Sequence, residues 1–173
     1  MSNQDILLVT LKMDDAALAH FDVLRRRYFP VELNHLPAHI TLFHALPGTE
    51  KSAITTQLQQ AASSYKPFLM RSNGVTNLGK GVAYAIHSLE AIALHAKLQA
   101  QWFKWLKPQD QMRGFKPHIT VQNKVDPVVA EELHRELSRD FTPQNITAMG
   151  FDLWLYQNGP WKFLETFAFK PQV

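Results

Sequence analysis

The tripeptide His-Ile-Thr occurs twice in this chain, in "PAHITLFHA" (37–45) and "KPHITVQNK" (116–124), and its surroundings repeat with it. Ahead of the first copy, "ILLVTL" (6–11) is a short apolar run bounded by polar residues, which predicts a buried strand. Asp14 is placed to cap a helix carrying Leu18, Phe21, Leu24 and Tyr28 on one side. Pro30 and Pro37 bracket a loop into the motif strand. Thr49 is then a candidate cap for a second helix with Ile54, Leu58, Ala61 and Tyr65 together, and "PFLMRSNGVTNLG" returns as strand and turn. At "VAYAIHSL" (82–89) the order starts again as a strand. A helix follows with Ile92, Leu98, Trp102 and Trp105 inward, and "HITVQ" is the second motif strand. Asp126-Pro127 opens another helix with Val129, Leu133 and Leu137 inward, and two β runs flank the Asn158-Gly159 turn signal.

Each half therefore reads β-α-β-α-β. Such a duplication restricts the chain to an α+β fold of two lobes related by a pseudo-twofold axis. Largely antiparallel sheets would form a central cleft, with helices outside. The repeats span approximately 6–76 and 82–169, and no Gly- or Ser-rich linker separates them, so residues 1–173 are expected to pack as one bilobal domain.

Composition removes several function classes. The 173 residues contain no cysteine, which excludes disulfides, Cys-ligated zinc and thiol catalysis. No run reaches the roughly 20 apolar residues of a spanning helix, and "MSNQDILLVTLKMDD" has none of the parts of a secretory signal, so a cytoplasmic protein away from membranes is expected. The formal charge of +3 suits an anionic ligand but falls short of the basic stripe of a duplex-DNA binder.

Side chains alternate along a strand. His39, Thr41 and Phe43 are thus expected on one face, with His118, Thr120, Gln122 and Lys124 on the matching face of the second copy, opposite the core-facing Ile40, Leu42, Ile119 and Val121. Brought together, two imidazoles and two hydroxyls line one cleft. One imidazole takes a proton from a nucleophile while the other gives one to a leaving group, each transfer worth about 10²–10⁴ in rate. The Thr hydroxyls are suited to the non-bridging oxygens of a phosphodiester. Neither motif holds a carboxylate, which would repel a phosphate, and Arg113, Lys116 and Lys124 stand near the second copy. The set points to metal-free phosphodiester chemistry without a cofactor.

With "HITL" at 39–42 and "HITV" at 118–121, the chain resembles the two-histidine (2H) phosphoesterase superfamily over nearly its whole length. That group includes bacterial 2′-5′ RNA ligase-like proteins and RNA 2′,3′-cyclic phosphodiesterases. The resemblance implies a hydrolase independent of ATP and metal, with His39 and His118 catalytic and Thr41 and Thr120 holding the phosphate. One His would activate water against a 2′,3′-cyclic phosphate of a nucleotide or RNA end, and the other would protonate the departing ribose oxygen. The reverse reaction would join that phosphate to a 5′-hydroxyl. Many members carry Arg shortly after the second motif, where this chain has Lys124, and the Lys-x-Asp-Gly motif of adenylylating ligases is absent. The rival reading is a module that binds a nucleotide or RNA end in the same cleft without turnover.

Phe43 is the leading candidate for base stacking, followed by Phe115 and Trp161, and Lys124 is a candidate for substrate contact. "RRRY" (25–28) reads as the solvated end of a helix, His44 as an edge or core-side residue, and His20, His95 and His134 as ordinary helix residues. Pro37 breaks the helix that a His35/His39 metal pair would need. A chain that completes its own bilobal site is expected to be a monomer.

Overall fold

In the computed structural model, which describes residues 5–170, seven strands form one sheet in which every pairing is antiparallel. The first half supplies β1 (Ile6–Met13), α1 (Asp15–Tyr28), β2 (Ile40–Pro47), α2 (Lys51–Ser64) and β3 (Phe68–Asn77). The second supplies β4 (Val82–His87), α3 (Leu89–Trp102), the single turn α4 (Pro108–Gln111), β5 (His118–Gln122), α5 (Pro127–Arg139), β6 (Asn145–Tyr156) and β7 (Trp161–Ala168). Asp14 caps α1 through the Ala17 N–H at 2.9 Å, and Ser88 caps α3 through the Ala91 N–H at 3.1 Å. Each satisfies a backbone donor that the first helical turn leaves open. Thr49 does not cap α2: it lies in a 3₁₀ turn (Gly48–Glu50), and the cap position falls to Glu50.

The sheet order is β2-β1-β6-β3-β4-β5, with β7 on β6. The third strand of each sequence half thus crosses over: β3 pairs with β4 of the second half, and β6 pairs with β1 of the first. The helices cross as well. Helix α1 packs on β5, and α3 packs on β2 through Trp102 and Phe43, 4.9 Å apart. Neither half can bury its own motif strand without the other, and the core is one continuous cluster running from Leu7 to Phe169. The sheet curls until its two end strands, β2 and β5, return to contact. Those are the motif strands, so the curl brings the two motifs side by side.

Both motif strands bulge immediately after the threonine. Thr10 pairs with Thr41 while Val9 pairs with Phe43, which leaves Leu42 extra on β2. Ala83 pairs with Thr120 while Val82 pairs with Gln122, which leaves Val121 extra on β5. A bulge places two residues opposite one and resets the alternation. Leu42 and Phe43 are therefore both buried, as are Val121 and Gln122. The expectation of Phe43 on the open face with His39 and Thr41 fails for this reason: it is a core residue with 0 % exposure. Parity reasoning holds as far as Thr41 and no further.

Among the described residues no helix is long and apolar enough to cross a membrane. The expected inward faces also need two corrections: Ile92 and Val129 are exposed, and the buried positions beside them are His95 and Ala130. At the start of β4, an added Cβ on Gly81 would lie 2.1 Å from the Gln122 carbonyl oxygen and 2.7 Å from Asn123 Cα, backbone atoms that cannot step aside. Gly81→Ala is expected to lower unfolding free energy by about 1–3 kcal/mol, as overpacking does elsewhere, measured by urea denaturation.

Candidate active site

Each motif histidine is held by its own backbone. His39, one residue ahead of β2, donates from Nδ1 to the Pro37 carbonyl at 2.8 Å. His118, the first residue of β5, makes the equivalent bond to the Lys116 carbonyl at 3.0 Å. A carbonyl only accepts, so in both rings Nδ1 carries the hydrogen. In the neutral ring this leaves the Nε2 lone pair for the cleft. Two cavities flank the pair. One, of about 530 Å³, is lined by His39 together with Thr120, and the other, of about 360 Å³, by His118 together with Thr41. Each imidazole thus shares its cavity with the threonine of the other motif.

The two rings differ in environment. His39 is half-buried, its ring 4.7 Å from Trp161, which the β6–β7 hairpin carries over it. Desolvation pushes its pKa from 6.5 down to about 4, against the support of the Pro37 bond, and the nearby positive charge of Arg25 acts in the same direction as burial. His39 is therefore neutral at physiological pH. His118 is exposed.

Of the other residues singled out in the sequence, Lys124 and Trp161 line the His39 cavity, Lys124 exposed and in a left-handed conformation (φ 60°). Phe115 lines the His118 cavity, along with Arg113 and Lys116. Phe115 is not free on both faces: His95 lies flat against it at 4.0 Å and 5°, and against Phe43 on its other side at 4.7 Å and 7°. His95, read from sequence as an ordinary helix residue, is the buried middle ring of that stack, and burial lowers its pKa.

Three residues at the cleft were not legible as such. Arg25, the first residue of "RRRY", is 4 % exposed, while Arg26 and Arg27 are solvated as expected. The signal was present: Ala17, Phe21 and Arg25 are spaced by four and form the buried stripe of α1. His44 and Asp110 form the second case. The β2 bulge turns His44 into the His118 cavity, where its Nδ1 lies 2.8 Å from Asp110 Oδ1. Asp110 Oδ2 also accepts the backbone N–H of His44 at 2.7 Å and of Ala45 at 3.1 Å, donors left open at the sheet edge. No sequence pattern pairs these residues across 66 positions.

Burial would raise the Asp110 carboxyl, but the His44 ring and the two N–H groups hold it below the usual carboxylate value. A depressed carboxylate stabilises the fold above its unfolded pKa and loses that contribution as pH falls through its folded pKa. Asp110→Asn is expected to cost about 1–3 kcal/mol at pH 7, the cost of leaving buried donors unpaired. In urea denaturation the gap between wild type and variant should close at acid pH, below the carboxylate range.

The family model of the 2′-5′ RNA ligase superfamily matches residues 13–160. No curated protein sequence matches the chain. Among solved structures, TT0787 of Thermus thermophilus superposes with a TM-score of 0.68 at 18 % identity, covering 97 % of this chain and 100 % of that one. LigT of E. coli complexed with 3′-AMP superposes with a TM-score of 0.61 at 17 % identity, covering 96 % of this chain and 98 % of that one. LigT complexed with NADP+ gives the same score and identity, with coverage of 95 % and 98 %. By its family match, its paired motifs and its fold, the chain belongs to the 2′-5′ RNA ligase superfamily, a group of the two-histidine phosphoesterases.

Proposed function

We propose that the protein is a metal- and ATP-independent phosphoesterase that opens 2′,3′-cyclic phosphates of nucleotides or RNA ends by acid–base catalysis between His39 and His118. The observation that carries this reading is the matched anchoring of the two rings. Each donates its Nδ1–H to the carbonyl two residues back, which leaves both Nε2 atoms outside that bond and open to a ligand. One phosphate between them is in reach of a proton acceptor on one side and a donor on the other. The cross-sharing of threonines supports the same reading, because each cavity then offers an imidazole and a hydroxyl from opposite motifs. LigT, which has the same fold, has been seen with 3′-AMP, ATP and NADP+ bound, which favours a nucleotide as ligand. Both motifs come from one chain, so a single copy makes a complete site.

We take the roles from the environments of the two rings. His39 is neutral under Trp161 and is the base: Nε2 takes a proton from water as the water oxygen attacks phosphorus. His118 is open to solvent, which resupplies its proton, and is the acid: Nε2–H protonates the ribose oxygen as its bond to phosphorus breaks. Thr41 and Thr120 donate hydroxyl hydrogens to the non-bridging oxygens, where negative charge grows in the transition state. Trp161, beside the base, is placed to pack on the sugar or base of the bound nucleotide.

The test is hydrolysis of a 2′,3′-cyclic mononucleotide in excess EDTA. Turnover should survive the chelator and fall by at least about 10² in His39→Ala and in His118→Ala. A binding module would show no turnover in wild type, and activity persisting in either variant would contradict the two-His mechanism. A further expectation concerns pH. The acidic limb of kcat/KM reports the free enzyme's base, and protonating His39 removes the acceptor. Activity should therefore hold through pH 6 and fall as pH drops toward about 4. A limb near the ordinary histidine value would remove His39 from the base role.

A further inference from the structure

From the wall of the His39 cavity, we infer that Arg25 is an anion-binding residue of the active site: its guanidinium supplies the positive charge for the substrate phosphate, and Asn34 holds it there without cancelling that charge. The inference rests on the phosphoester reading of the cleft and adds the group that receives the anion.

A guanidinium that is almost entirely withdrawn from water is costly unless it is paired or well bonded. Arg25 is 4 % exposed, and its three hydrogen bonds all go to neutral acceptors. Nη1 donates to the Thr120 carbonyl at 2.7 Å, while Nε at 3.2 Å and Nη2 at 3.0 Å both donate to Asn34 Oδ1. The Phe29 ring lies under Cζ at 4.4 Å. The carboxylate that bears on it is Asp22, one turn back on α1, whose Oδ1 is already bonded to the Ala38 N–H. An arginine presents five N–H donors; three are used here, and two are left for the cavity that Arg25 lines with His39 and Thr120.

Location strengthens the case. Strand β5 ends the sheet, so one of its edges has no neighbouring strand. The Thr120 carbonyl, the backbone of a motif residue, is bonded by Arg25 and not by a strand. The cation therefore sits beside the second motif and close enough to His39 to oppose its protonation. The cavity wall adds Lys124 and, among the described residues, contains no Asp or Glu. Asn34 is the informative partner. Aspartate there would accept from Nε and Nη2 with a charged oxygen, making an ion pair with stronger bonds. Asparagine gives the geometry and leaves the charge.

That contrast supplies the experiment, with inorganic phosphate as the probe. Binding would be measured by isothermal titration calorimetry for wild type, Asn34→Asp and Arg25→Met, with a thermal melt of each. A merely structural Arg25, a clamp between α1 and β5, should be tightened by Asn34→Asp, with phosphate affinity unchanged. An anion site should instead lose affinity by tenfold or more in Asn34→Asp even though its melting temperature is not lowered, and Arg25→Met should show the same loss. Should Arg25→Met fail to fold, Asn34→Asp still decides the matter. Wild-type affinity retained in Asn34→Asp, or in a folded Arg25→Met, would overturn the inference, as would a wild type that does not bind millimolar phosphate. Cyclic-nucleotide hydrolysis is read separately: its absence in wild type would remove the catalytic reading while an Arg25-dependent phosphate site still stood.

Discussion

The site depends on a short-range hydrogen bond made twice, from a histidine Nδ1–H to the carbonyl two residues earlier in its own chain. This bond chooses the tautomer, fixes the ring plane and directs Nε2 away from the backbone. Because it is local, it forms wherever the His-x-Thr segment enters its strand and needs no help from the other motif. What it cannot do is bring the two rings together. That is the work of the sheet, whose end strands are the motif strands and whose curl closes the distance between them.

The crossing of strands and helices explains why the two halves act as one body. Strands β3 and β6 each pair with the opposite half, and α1 and α3 each cover the opposite motif strand. An opening of the cleft by lobe motion would have to break paired backbone in the middle of the sheet. Arg25 adds a side-chain tie between the end of α1 and β5. The geometry of the candidate site is thus set by the core, and the exposed loops mainly shape the two cavities.

Much of this was readable in the amino-acid order. The succession of strands and helices, the cap at Asp14 and the hairpin at Asn158-Gly159 follow local rules of periodicity and turn chemistry. The four motif residues stood out because an identical tripeptide recurred in an identical context. The failures are equally physical. Parity predicted Phe43 in the cleft, but a bulge after Thr41 sent it to the core and turned His44 outward, and nothing local in "HITLFHA" announces that extra residue. Asp110 reaches His44 only through tertiary packing. Arg25 is different: it lies on the buried stripe of its own helix, against the rule that charged runs at helix ends are solvated.

The proposed division of labour between the rings rests on their surroundings and not on the motifs, which are chemically alike. The measurement that tests it most directly is a long-range ¹H–¹⁵N correlation spectrum of the imidazole nitrogens, followed with pH. His39 is expected to remain neutral at pH 6, protonated on Nδ1 and with a pyridine-like Nε2, and to gain its second proton only toward pH 4. A His39 ring that carries its hydrogen on Nε2, or that is already an imidazolium at pH 6, would contradict the account.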